Sequence, residues 1–441
     1  MSTTSTCSEP PVAGPAIEKG KAWTPYQMGM VAMFFLSMVI AYMDRVNFSV
    51  VIPTLMKEYH LAPEVAGVLL SIFSWALAAA YLFSGPLVDR FHSRRMLPGG
   101  VGVWSLATFI AGLSATVPVL GAARVLLGLG ESTQIPSVSK LISELFPKSQ
   151  RGKAVGIYFS GSKIGLVIGA PLAAAILAEY GWHMVFFATG IISAMWLVPW
   201  FLIYRPGKEV IQEELPAKDA EAPQLPAGKR NWTQLFSYKE TWVLMLGQAG
   251  YLYVYFVFLS WLPSYLILER GMSVLKTGIF STFPFIIAVF VGIFSGWLSD
   301  RWIQHGGTMT LVRKTFIGGG FALSTIFIVI ATNITSEGLS LLFLFMSMGI
   351  LGMTSPNINA LPIDLSSGEV VSSVAALQNL GGSIGSALSP IVTGILYAST
   401  GSFQVALLVT GGVALVFGTC VHVFLLDKIE PRIGIKSNVS N

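Results

Sequence analysis

Charge is scarce in this 441-residue chain. Asp, Glu, Lys and Arg together make up 11% of it, where a soluble domain carries roughly 25%. Cysteine is scarcer still. Cys7 sits near the N-terminus and Cys420 in the last apolar run, so neither a disulfide framework nor a cysteine metal cluster can be built. The five histidines are scattered singly, which argues against a zinc or haem centre. No nucleophile–base signature and no phosphate loop is present, and this argues against an enzyme. The formal charge of +5 is no sign of nucleic-acid affinity, because its meaning depends on which side of a membrane the charges lie. What the chain has in abundance is apolar residues, 53% of the total, with a mean hydropathy of +0.69. It reads as an all-α polytopic membrane protein whose solvent is the lipid bilayer.

Apolar runs of about 20 residues, the length that crosses hydrocarbon, recur twelve times. They lie near 28–52, 65–88, 97–116, 118–146, 152–178, 183–204, 240–267, 277–299, 315–332, 338–360, 370–397 and 402–426. Residues 1–27 form a Ser-, Thr-, Pro- and Gly-rich tail expected to be disordered and cytoplasmic, without the cleavage pattern of a signal peptide. Residues 205–239 carry Lys208, Glu209, Glu213, Glu214, Lys218, Asp219 and Glu221 and read as a solvated cytoplasmic linker. It divides an N-terminal six-helix bundle, 28–204, from a C-terminal one, 240–426. A cytoplasmic tail, 427–441, follows. With the N-terminus inside, 20 of the 27 Lys and Arg residues fall in cytoplasmic segments, and only Lys57, Arg270 and Lys276 fall outside. That bias predicts a multi-pass plasma (inner) membrane protein with both termini cytoplasmic.

The two halves repeat a motif. After the second run comes Gly85-Pro86-Leu87-Val88-Asp89-Arg90-Phe91-His92-Ser93-Arg94-Arg95, and after the eighth comes Gly296-Trp297-Leu298-Ser299-Asp300-Arg301, with Arg313-Lys314 following. The glycines Gly85 and Gly296 permit close helix approach. Asp89 and Asp300 can cap or pair at a helix end, and the cluster around Arg90 and Arg301 holds the loop at the cytoplasmic face. Two copies at equivalent places make this chain resemble the major facilitator superfamily over nearly its full length. The resemblance implies twelve transmembrane helices in two pseudo-symmetric six-helix bundles that rock about a site near the midplane. His92 stands where that family often has glycine.

Charges inside the runs are expensive and by default functional, each costing roughly 2.5–3.5 kcal/mol at the bilayer centre on insertion scales. The first run contains Tyr42-Met43-Asp44-Arg45. The fourth contains Arg124-Val125-Leu126-Leu127-Gly128-Leu129-Gly130-Glu131, in which seven residues place Arg124 and Glu131 about 20° apart on one helix face. Lys163 is a third intramembrane cation, in the glycine-rich fifth run. Across the C-terminal runs the sequence offers neutral groups instead: Gln248, Tyr251 and Tyr255 on one face of the seventh, Asn357 and Asn359 in the tenth, Gln378 and Asn379 in the eleventh. A ligand with an anionic end and a hydroxylated end suits that division.

Asp44-Arg45, the Arg-x6-Glu of the fourth run and the motif together resemble the anion:cation symporter branch of the superfamily, which carries galactonate, glucarate, hexuronate and related anions. By residue match, the resemblance implies proton coupling through Asp44 and Glu131. It implies that Arg45 and Arg124 handle the substrate carboxylate or gate those acids, with polar contacts from Tyr42, Tyr81, Gln248 and Asn379. Lys163 is grouped with the substrate-binding residues but matches no familiar role. The expectation is a monomeric secondary transporter, with no cofactor and no metal, that imports a small organic anion by proton symport. Sugar acids lead, aromatic acids and dicarboxylates use the same machinery, and a proton-coupled drug antiporter is the alternative class. Each charged pair also has a structural reading, as a buried ion pair or a helix cap.

Overall fold

The computed structural model describes residues 23–205, 232–366 and 370–433. Most of the expected N-terminal tail and linker, and the end of the C-terminal tail, lie outside the described residues. The described chain is helical throughout and contains no β-strand, which is how a polypeptide satisfies its backbone groups within its own segment in lipid. Among the described residues, eleven helical stretches are long and apolar enough to cross a membrane, and the fourth apolar run makes a twelfth crossing from two shorter helices.

Spans 1 (Pro25–Glu58), 2 (Pro63–Phe91) and 3 (Ser93–Leu113) are continuous. Span 4 is broken into two pieces, Val117–Glu131 and Gln134–Leu145. Its break follows directly on Glu131. There Ser132 Oγ donates back to Leu129 O at 2.7 Å and Thr133 Oγ1 to Gly130 O at 3.1 Å, the kind of back-bonding that bends helices. Span 5 is Lys148–Tyr180, and span 6 is Trp182–Met195 continued by Leu197–Ile203. In the second half, span 7 is Lys239–Leu268, and span 8 is Val274–Phe280 with Phe283–Gln304. Span 9 is Met309–Asn333, span 10 Glu337–Leu351 with Thr354–Leu365, and span 11 Val371–Thr400. Span 12 begins as Phe403–Val413 and continues as a π-helical stretch, Ala414–Leu425. Starts follow local chemistry. At span 1, Thr24 and Gln27 form a reciprocal capping box ahead of Pro25, and Thr308 caps span 9 through the Leu311 amide, satisfying donors that a helix start leaves free.

The motif copies lie on the last helical turns of spans 2 and 8, not in loops. Within the first copy the chain turns at a single residue, His92, with φ 67° and ψ 139°, and Ser93-Arg94-Arg95 open span 3. That region is all but reserved for glycine, which gives a backbone reason for the glycine common at this place in the resembling family. The Asp89 side chain lies outside the described residues. Asp300 and Arg301 are exposed, and the Arg301 guanidinium lies 5.5 Å from the Trp297 ring centre. Residues 427–433, expected as tail, lie against the C-terminal half. The Ile429 amide donates to Thr310 Oγ1, and those of Arg432 and Ile433 donate to Leu365 O, each at 2.9 Å.

The halves meet through span 2 with span 11, span 5 with span 8, and span 1 with span 7. The first two pairings exchange under the pseudo-two-fold, and the third maps onto itself. Contact is tightest at the end opposite the motifs. A side chain begun at Gly67 would stand 2.5 Å from Pro390 O, and one begun at Gly394 would stand 2.6 Å from Pro63 O. Ser71 Oγ hydrogen-bonds Ala387 O in the same seam. Toward the motif end, Gly85 of span 2 and Gly152 and Gly156 of span 5 face open space. The halves are therefore shut at one end and parted at the other.

Two outcomes follow from this backbone. His92→Gly should raise the thermal unfolding midpoint in detergent, relieving strain of about 1 kcal/mol. Gly394→Val should wedge the shut end apart, since overpacking of this kind costs about 1–3 kcal/mol. Spin labels at the exposed positions Glu64 and Ser399 should report a longer mean distance in that variant than in the parent.

Candidate functional site

The first span's charges separate because adjacent helical residues point 100° apart. Arg45 reaches span 4, where Nη2 and Nε donate to Glu131 Oε2 at 2.6 and 2.9 Å. Asp44 turns toward span 6 and accepts from Ser193 Oγ at 3.0 Å through Oδ2. Both acids are almost fully buried, Asp44 at 3% and Glu131 at 1% exposure. Each also keeps one buried oxygen, Asp44 Oδ1 and Glu131 Oε1, without a protein partner among the described residues.

Glycine brings these helices within reach. Gly128 of span 4 packs against span 2, where a side chain would stand 2.8 Å from Phe73 O, and Gly165 of span 5 lies against Val39 and Tyr42 of span 1. Span 2 thereby places the Phe73 ring between two cations, 5.1 Å from the Arg45 guanidinium and 4.9 Å from that of Arg124. Tyr42 stacks on Arg45 at 4.5 Å and Phe48 on Arg124 at 4.5 Å. Guanidinium over an aromatic face is worth about 0.5–2 kcal/mol, more when desolvated.

Arg124 and Glu131 share a face but do not pair. Arg124 Nη2 donates to Leu70 O at 3.2 Å and Nε reaches Leu69 O at 3.4 Å. Its Nη1 is buried with no partner among the described residues. Arg124 and Asp44 line one small cavity with Phe48, Thr108, Leu127 and Phe186. The unpartnered atoms of Asp44 and Arg124 make that cavity polar at one side, the condition for holding water.

The remaining sequence-derived residues divide. Tyr42 and Tyr81 are half-buried beside Arg45. Lys163 is half-buried, with its ammonium 5.0 Å from the centre of the Tyr255 ring in the opposite half. Gln248 is buried with Oε1 unpartnered among the described residues, and Asn379 is exposed. No hydrogen bond joins either of them to the Arg45–Glu131 cluster among the described residues. Asn357 and Gln378 have structural work instead. The Gln378 amide donates to Ile358 O at 2.9 Å, and Asn357 Oδ1 accepts from Arg313 Nη1 at 2.9 Å and Ser299 Oγ at 2.7 Å.

That last contact corrects the expectation of an uncharged C-terminal half. Spans 9 and 10 run further toward the motif end than their apolar runs, so Arg313 and Asp364 are helix residues. They form a largely buried pair at 2.9 Å. Sequence reasoning also passed over three groups near the site. Asn47 is buried with both amide atoms unpartnered among the described residues. A polar residue three places after Asp44 in an apolar run was signal enough to find it. Tyr158, whose buried hydroxyl lacks a partner among the described residues, interacts electrostatically with Tyr42, Tyr81 and Arg45. Ser193 had no signal, since serine is ordinary in membrane helices.

Breaking a buried pair from one side costs about 3–5 kcal/mol, whereas replacing both partners can be nearly neutral. Glu131→Gln or Arg45→Met alone should therefore lower the thermal unfolding midpoint more than the double variant does, and the double-mutant cycle should show strong positive coupling.

Comparison with known proteins agrees with this architecture. The family model described as Major Facilitator Superfamily matches residues 34–386 and 311–439. The probable L-galactonate transporter of Escherichia coli (strain K12) is 29% identical over 408 residues, 91% of this chain and 90% of that protein. A D-galactonate transporter from another Escherichia coli strain is 29% identical, covering 92% and 96% respectively. The probable sulfoacetate transporter of Cupriavidus necator is 28% identical, covering 87% and 89%. Among solved structures, a bacterial homologue of the human lysosomal transporter Spinster, in an inward-facing and unoccupied conformation, superposes with a TM-score of 0.80. Its identity is 18%, over 91% of this chain and 97% of that one. The D-xylose–proton symporter gives 0.73 at 14% identity, over 92% and 98%. At such identities these structures bear on the fold alone. The family model spans most of the chain, and the chain belongs to the Major Facilitator Superfamily, whose members are membrane transporters and not enzymes.

Proposed function

We propose that this protein imports a small organic anion, a sugar acid or related carboxylate, by symport with protons. The observation that carries the reading is the Arg45–Glu131 pair. A guanidinium with five fork-like donors is held by one carboxylate oxygen, while the other oxygen is buried and unpartnered. An incoming carboxylate can take the Nε and Nη2 donors that Glu131 Oε2 now holds, and can do so with both of its oxygens. As it takes that place, Glu131 becomes an unpaired carboxylate in a dry site. Proton uptake is its cheapest remedy. Substrate and proton then load together, and neither crosses efficiently alone. Asp44 is the second proton carrier, linked across the small shared cavity to Arg124, whose free Nη1 can receive negative charge from the acids or the substrate. Tyr42 and Tyr81 complete the polar wall around Arg45.

Supporting the anion over a cationic drug are three intramembrane cations and the galactonate, galactarate/D-glucarate and sulfoacetate carriers among the relatives. The Lys and Arg distribution supports a plasma-membrane protein with cytoplasmic termini. In that orientation, halves parted at the motif end make an inward-open state, and the Gly67–Gly394 seam is the external gate. Transport is the exchange of that seam for one at the motif end, with the Arg313–Asp364 pair helping the C-terminal half to move as a body.

In proteoliposomes loaded with a sugar acid, Glu131→Gln should abolish accumulation driven by an inward proton gradient while sparing counterflow exchange of labelled substrate. Proton-driven accumulation undiminished in Glu131→Gln would remove Glu131 from the coupling role.

A further inference from the structure

Among the described residues, Lys163 is the one cation deep in the spans that has no oxygen for company. Arg45 holds Glu131, and Arg124 holds two backbone carbonyls. Lys314, nearer a helix start, donates to Val423 O at 3.0 Å. Lys163 has no carboxylate and no hydrogen-bond acceptor among the described residues. Its ammonium instead faces the ring of Tyr255, 5.0 Å away across the divide between the halves. A ring face offers an ammonium much less than its three donors can use. The Tyr255 hydroxyl is itself buried and unpartnered among the described residues. Two polar groups with unspent capacity thus stand together between the halves.

Their place relative to Arg45 is also set. Span 5 closes on span 1 through Gly165, where a side chain would stand 2.9 Å from Tyr42 Cβ, and so carries Lys163 on its other face, toward Tyr255 of the C-terminal half. Tyr42 is the same residue whose ring stacks on the Arg45 guanidinium, and Tyr255 lies within electrostatic range of Arg45. Lys163 and Arg45 are thus each set against a tyrosine, Lys163 reaching Tyr255 of the C-terminal half and Arg45, tied to span 4, lying over Tyr42. A ligand that satisfies both cations carries an anionic group at each end of a short polar chain.

We propose that Lys163, with the Tyr255 hydroxyl, is a second anion contact that makes the carrier selective for a dianion, such as a dicarboxylate, over the corresponding monocarboxylate. This rests on the anion reading of the Arg45 site and assigns its substrate class. One carboxylate goes to Arg45, displacing Glu131. The other goes to the Lys163 ammonium, drawing it from the Tyr255 ring. Since the Lys163–Tyr255 contact crosses between the halves, occupancy at the second point also changes what holds the halves together at mid-depth.

The test uses two anions of the same galacto configuration that differ in one end group, galactarate with two carboxylates and D-galactonate with one. Thermal shift in detergent and counterflow in proteoliposomes are read for the parent, Lys163→Gln, Lys163→Arg and Tyr255→Phe. The parent should favour the dicarboxylate by about tenfold or more. Lys163→Gln should lose that preference while still responding to the monocarboxylate, Lys163→Arg should keep it, and Tyr255→Phe should weaken it in part. If Lys163→Gln leaves the ratio of the two anions unchanged, or the parent favours the monocarboxylate, the proposal falls while the anion reading stands. A parent that responds to neither compound, with Lys163→Gln equally silent, overturns the sugar-acid reading itself. Should Lys163→Gln fail to fold, Lys163→Arg and Tyr255→Phe decide: an unchanged ratio in Tyr255→Phe with a lost one in Lys163→Arg also counts against it.

Discussion

The ion pair between Arg45 and Glu131 is what the N-terminal half of this protein is built to hold. Each charge taken from water costs several kcal/mol even after relaxation, and the pair repays it only with good geometry. Two donors on one carboxylate oxygen, at 2.6 and 2.9 Å, supply that geometry, and the surroundings enforce it. Gly128 lets span 4 close on span 2, Gly165 lets span 5 close on span 1, and Phe73 separates Arg45 from Arg124. Span 4 breaks immediately after Glu131, where Ser132 and Thr133 turn their hydroxyls back onto the helix. The pair is nonetheless unfinished. One oxygen on Glu131 and one on Asp44 lack partners among the described residues, a costly arrangement in a dry interior unless a ligand, proton or water completes it.

That incompleteness suits a carrier better than an enzyme or a structural bundle. A finished buried network rigidifies a protein. One with spare acceptors and donors can exchange partners at modest cost, as alternating access requires. The division of labour between the halves fits this. The N-terminal half holds the charged groups with spare capacity, while the C-terminal half keeps Arg313 and Asp364 satisfied by each other and by Ser299 and Asn357 near the motif end. Its contribution at mid-depth is aromatic and neutral, with Tyr255 facing Lys163. The two bodies meet through glycine-lined seams, whose backbones can approach closely and part without leaving large side chains to repack.

Much of this was legible in the order of residues, and the reason is the solvent. Lipid forbids unpaired backbone and penalises charge, so twelve apolar runs, a polar linker, the repeated motif and the basic bias all follow from composition along the chain. The same penalty made Asp44, Arg45, Arg124, Glu131 and Lys163 conspicuous, and Asn47 was conspicuous by the same rule. Hydroxyls and tyrosines carry no such flag, so Ser193 and Tyr158 were invisible among their kind. His92 showed in the sequence as a departure, and its positive φ gave the departure a backbone meaning.

Partnership was the part that no linear reading could decide. Helical spacing set Arg124 and Glu131 on one face, yet Glu131 bonds to Arg45 from a span 86 residues away, and Arg124 turns to the carbonyls of span 2. Asp44 and Arg45, adjacent in the chain, serve different helices. Arg313 and Asp364 lie beyond the apolar runs of spans 9 and 10, where hydropathy cannot tell a helix end from a loop, and only packing shows them buried together. The sequence by itself determined how many helices cross, which charges they carry and the motif that repeats. The tertiary structure alone decided which charge meets which and at which end the halves close. Those depend on where glycines let backbones touch, and contact between distant helices is not written in the local pattern.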